Sequence, residues 1–138
     1  MKFVIVALLL IGMISCQASV EVCTTDLKDG VKVVKALEET IKTKDIFKTI
    51  TYISMIQPMI QKVKSDCSSV TKADIFKFVY GKLNDAQKAC LTDVMSVFFV
   101  GSSVVEDFKT KNWAELFKDI STLTKEVQNA KTVCTGAF

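Results

Sequence analysis

The sequence predicts an all-α fold: a disulfide-stapled four-helix bundle made of two duplicated helical hairpins plus one short linking helix. Three observations lead there. Apolar residues recur at steps of three and four along most of the chain, the spacing of one buried helix face. Helix breakers are scarce, with one proline and five glycines in 138 residues. Cysteines stand in two equally spaced pairs, Cys23 with Cys67 and Cys90 with Cys134. That length suits a single domain around one core.

The elements follow in order. Lys2 and the apolar run Phe3 to Ile14 have the form of a secretory signal. Cys16-Gln17-Ala18 then puts small residues where a signal peptidase cuts, so cleavage is expected after Ala18. This divides the chain into a signal peptide, 1–18, and one helical domain, 19–138. Met13-Ile14-Ser15-Cys16 is a poor lipobox because it opens on methionine. No later uncharged run reaches the roughly 18 residues of a membrane span. The expected location is therefore secreted, outside the cell or in a secretory granule.

Four cysteines remain after such a cut, and an even number in an exported chain reads as two disulfides. Zinc is not expected, since no C-x-x-C pair occurs. Sliding the chain so that Cys23 lies over Cys90 aligns more than cysteines. Thr25-Asp26 falls on Thr92-Asp93, Glu39 on Glu106, Lys42-Thr43-Lys44 on Lys109-Thr110-Lys111, and Ile53-Ser54 on Ile120-Ser121. The expectation is an internal repeat: unit one at 19–67, a linker at 68–84 and unit two at 85–134.

Each unit reads as two helices. Val20, Cys23, Leu27, Val31, Val34, Leu37 and Ile41 form one stripe, which Thr43-Lys44-Asp45 interrupts. Asp45 is placed to cap the next helix, carrying Ile46, Ile50, Ile53, Ile60 and Val63. Pro58 should kink or unwind that helix. In unit two, Asn112 is the cap, with Glu115 completing a capping box. Within the linker, Thr71-Lys72-Ala73-Asp74 starts a short helix expected to end near Gly81, and Asn84 or Asp85 caps the helix bearing Cys90. In a hairpin the start of the first helix lies beside the end of the second, which favours Cys23–Cys67 and Cys90–Cys134. The other two connectivities stay open at this level.

Composition removes whole classes of chemistry. All 18 basic residues are lysine, so no histidine serves as base or ligand and no arginine clamps a phosphate. A formal charge of +3 does not suggest a nucleic-acid surface. No catalytic motif, phosphate loop or metal pattern is present, and the expectation is a protein that is not an enzyme and needs no cofactor. Glu38-Glu39 and Glu106-Asp107 read as solvated faces, and the lysines as an ordinary mixed surface.

One stretch breaks the symmetry between the units. From Val94 to Val105 there is no charge. A helix apolar nearly all round must be covered on nearly all sides: it is a central core helix with the short helix over Phe98 or Phe99, or it lines a cavity, or it meets a second chain. Candidate ligand or interface residues are Met55, Met59, Met95, Phe98, Phe99, Gly101 and Trp113.

With C-x-x-D at Cys23/Asp26 and again at Cys90/Asp93, each followed two helices later by Cys67 or Cys134, the chain resembles small secreted helical proteins of ciliate protists. That resemblance implies an extracellular or granule-resident protein without assigned chemistry. The chain is also similar, more distantly, to secretoglobins, which implies carriage of an apolar molecule. The expected function is a secreted, non-enzymatic binding or structural protein acting through helical surfaces or self-association. Its discriminating feature would be an exposed apolar patch on the third long helix. The alternative is an extracellular carrier of a small apolar ligand or lipid in a bundle cavity lined by Met55, Met59, Phe98 and Phe99. Partners are then a protein or a second copy, or an apolar small molecule, with no nucleic acid and no stable membrane span.

Overall fold

The computed structural model describes the backbone of residues 2–78 and 83–138 and the side chains of residues 19–78 and 83–138. The side chains of the signal-like segment, including Lys2, Cys16 and Ala18, lie outside the described residues, as do Val79 and Gly81. Six helices and no strand are found among the described residues: α1 (Lys2–Lys42), α2 (Ile46–Met55), α3 (Gln57–Asp66), α4 (Lys72–Lys77), α5 (Asp85–Lys109) and α6 (Trp113–Cys134). The fold is all-α with two disulfides.

Local chemistry sets most boundaries. Asp45 ends the first turn region by accepting the N–H groups of Phe47 at 3.0 Å and Lys48 at 3.2 Å. Thr71 with Asp74 and Asn84 with Gln87 form reciprocal capping boxes. At Asn112 only the forward bond forms, from the Glu115 N–H at 3.4 Å, so the expected box is half made. Pro58 divides the predicted second helix. The helix breaks at Ile56, and Pro58 opens α3 in its first turn, where a missing N–H costs nothing. The short helix α4 stops at Lys77 because Phe78 turns extended (φ −72, ψ 120), earlier than the expected end near Gly81. α1 is continuous through Ala18, and cleavage there would leave a helix about as long as α5.

The disulfides are Cys23–Cys67 and Cys90–Cys134, each spanning 44 residues, with Cα–Cα distances of 4.9 and 4.6 Å. Other features recur at the displacement that lays Cys23 over Cys90. α1 and α5 end at Lys42 and Lys109, and α2 and α6 begin at Ile46 and Trp113. Lys44 and Lys111 both adopt φ 58, the left-handed region. Beyond each second cysteine the chain turns alike: the Val70 N–H donates to Cys67 O and the Ala137 N–H to Cys134 O, and both side chains are buried.

α5 is the centre of the molecule, in contact with all five other helices. Leu91, Val94, Met95, Val97, Phe98, Val104 and Val105 are buried along it. Each such side chain contributes on the order of 1.5–3 kcal/mol by leaving water. Phe98 meets α1: its ring lies against Gly30, where a Cβ would collide with the ring edge and stand 3.2 Å from Val94 Cγ1. Glycine at 30 is what lets the two helices approach. At Gly101 the nearest atom to a Cβ would be Ile60 Cδ1 at 3.5 Å, an ordinary contact. α5 is long and apolar enough to cross a membrane by length and composition, yet 61% of its most apolar window is buried inside the protein, as in a core helix.

Candidate functional site

Three features stand out from this frame: apolar side chains left in water near the turns, a lysine-rimmed groove, and buried carboxyl groups.

The first comes from α2. Its inner face buries Ile50 and Ile53, while Phe47, Thr51 and Met55, one turn apart, form the opposite stripe. Phe47 is 80% and Met55 72% exposed, flanking a shallow depression of about 370 Å³ shared with Thr40 and Tyr52. At the other turn Trp113 is 50% exposed and meets Phe108 edge-on, ring centroids 6.1 Å apart at 74°. Phe117, one turn further along α6, is also exposed.

The second lies between α1 and the end of α6. Two adjoining depressions of about 420 and 450 Å³ share Val31, Lys35 and Phe138. Val34 and Ala130 line the first and Leu83 the second. Lys28, Lys32 and Lys35, spaced by one helical turn each, edge the second on a single face of α1. None of the three pairs with an acid within ion-pair distance among the described residues.

The third corrects the reading of Glu38 as a solvated residue. It is 8% exposed, and its Oε1 accepts from Lys131 Nζ at 2.7 Å and Lys42 Nζ at 3.0 Å. Those two ammonium groups hold its carboxyl below the usual range, Lys131 most. Asp26 behaves oppositely. Burial first, and then the neighbouring Asp66 carboxylate, raise it to about 6 despite Lys62 at 3.6 Å. Its Oδ2 is buried without a hydrogen-bond partner. Asp107 is likewise raised to about 6, chiefly by its bond to Asp119 and then by desolvation, and its Oδ2 is also buried and unpartnered. Asp93, the offset counterpart of Asp26, is raised by burial and by Glu126. Among the described residues no cluster of three or more metal-ligating side chains occurs.

The structure places the sequence-predicted residues in three different settings. Met95, Phe98 and Gly101 are buried in the core, and Phe99 and Met59 are half-buried. Met55 and Trp113 are exposed, Met55 at the break between α2 and α3 and Trp113 at the start of α6. Met59, Phe98 and Phe99 line none of the cavities described above. The charge-free band of α5 is mostly buried, and the most exposed large hydrophobics lie on other elements, Phe47 and Met55 on α2 and Trp113 and Phe117 on α6 among them. Phe47, Phe108, Phe117 and Phe138 were not singled out from sequence. The spacing of Phe47, Thr51 and Met55 carries the signal, because it falls opposite the Ile46, Ile50, Ile53 stripe. No protein-family model, no curated protein and no solved structure matches the chain.

Proposed function

We propose that this is a secreted, non-enzymatic interaction protein, cut after Ala18, that associates with itself through the apolar side chains left in water near its two turns. Two disulfides are consistent with an extracellular protein. On this reading the mature chain is a four-helix bundle of two duplicated hairpins with α4 between them, and it holds no catalytic apparatus and no stable membrane span. The features that recur at one offset support the duplication: both disulfides, both left-handed lysines and the helix ends.

One observation carries the reading. Phe47 and Met55 of α2 and Trp113 and Phe117 of α6, all large and apolar, are half or more in water. Isolated exposed hydrophobics are ordinary, but here they group in two patches, one on the second helix of each hairpin, where a second molecule can cover them.

Sedimentation equilibrium of the purified protein tests this, with Trp113, the single tryptophan, as a second readout. The expected result is a concentration-dependent dimer or larger assembly whose formation shifts Trp113 emission to the blue. Phe47→Lys and Phe117→Lys should return it to monomer. A monomer at all concentrations, with water-exposed tryptophan emission, overturns the proposal.

A further inference from the structure

We infer that the groove between α1 and the end of α6 is a binding site for a single-chain amphiphile bearing a carboxylate, such as a long-chain fatty acid. This goes beyond self-association and rests on different residues.

The shape fits. The two depressions that share Val31, Lys35 and Phe138 have volumes of about 420 and 450 Å³, within the usual range of roughly 300–1,000 Å³ for small-molecule sites. An apolar chain would lie over Val31, Val34 and Ala130 beneath the ring of Phe138, which is 56% exposed where it stands. Covering that ring and the half-buried Val31 removes apolar surface from water, while the buried Val34 and Ala130 shape the floor.

Charge selects the head group. Lys28, Lys32 and Lys35 edge the groove with no acid paired to them among the described residues, so three ammonium groups are available along two turns. Glu38, the buried acid of the groove, is already neutralised by Lys42 and Lys131 and so does not repel an anion there. Glu39, at the other end of the lining, disfavours an anion and sets the direction: carboxylate toward Lys32 and Lys35, chain toward Ala130. Lysine, a point charge on a flexible stem, suits a carboxylate head at a groove edge.

The test titrates oleate, below its micelle concentration, into the purified disulfide-bonded protein, followed by calorimetry and by amide NMR shifts. Saturable one-to-one binding is expected, with shifts at Val31, Val34, Ala130 and Phe138. The double variant Lys32→Ala/Lys35→Ala should weaken oleate at least tenfold and leave oleyl alcohol nearly unchanged; both lysines are exposed, so the fold is kept. Val31→Phe, which fills the groove, should weaken both ligands. Absence of saturable binding, shifts confined to the Phe47 or Trp113 surfaces, equal affinity in the lysine variant, or binding only to phosphatidylserine vesicles would each overturn the inference. Oligomer formation is read in the same samples, so failure of self-association is told apart from failure of this site.

Discussion

Lys131, near the end of α6, donates to Glu38 of α1 across 2.7 Å, and Lys64, its counterpart at the repeat offset, donates from α3 to Ser102 of α5 across 3.2 Å. Each lysine thus leaves its own hairpin to bond the other. The two bonds are unequal in chemistry: one joins charge to a nearly buried carboxylate, the other joins charge to a buried hydroxyl. Both lysines are exposed, so each bond contributes modestly, about 1 kcal/mol or less for the ion pair. Lys131→Ala should therefore lower stability by about 0.5–1 kcal/mol in urea unfolding, and more than Lys42→Ala, whose lysine bonds Glu38 within a single helix.

The carboxyl groups give the stability a pH optimum on the acid side of neutral. Asp26 and Asp107, at about 6 in the folded chain against an ordinary 3.8, bind protons in the native state that the unfolded chain does not. Stability therefore rises as pH falls from above 6 toward 4. Glu38 acts in the other direction: its lowered value adds stability above the ordinary 4.5, which is lost as pH falls through its folded value. Thermal unfolding from pH 3 to 8 should show a maximum near pH 4–5. Asp107→Asn should raise the midpoint at pH 7 and flatten the rise between pH 7 and 5, since a neutral amide can donate to Asp119 without charge repulsion.

Gly30 reverses a helix rule. In an exposed helix interior, Gly→Ala stabilises by up to about 1 kcal/mol. Here the added Cβ meets the Phe98 ring, which is held in the core. Gly30→Ala should destabilise by about 1–3 kcal/mol, and Phe98→Leu should reduce the cost of adding Ala at 30. Urea unfolding of both single variants and the double variant gives the coupling directly.

Lys44 and Lys111 each hold φ 58, a conformation in which a side chain crowds the following carbonyl. Lys44→Gly and Lys111→Gly should each raise stability by about 0.5–1 kcal/mol. If the two turns act independently, the double variant should show the sum in a melting experiment.

Much of this fold is legible in the residues, for local reasons. Asp45, Thr71 with Asp74, and Asn84 signal their helix starts through short-range bonds that any neighbour permits, and Pro58 breaks its helix by its own geometry. The cysteine pairing follows from equal spacing around a turn. What sequence did not reveal depends on which face meets which. Glu38 reads as solvated until Lys131, far along the chain, is brought to it. Lys28, Lys32 and Lys35 read as ordinary surface until the end of α6 and Phe138 make a wall beside them. That the Phe98 ring lies against α1 depends on Gly30, whose role no local pattern marks. The charge-free band of α5 reads as a central core helix, a cavity lining or an interface, and its contacts with all five other helices fit the first of these.

Both disulfides are closed between cysteines that are consecutive in the chain, and neither links one half to the other. A polypeptide entering an oxidising space N-terminus first can join Cys23 to Cys67 before Cys90 has arrived. Cys90 then meets Cys134 as the only remaining thiol of that pair. In such a space correct oxidation is available simply from the order of arrival, without an isomerase having to sort crossed bonds.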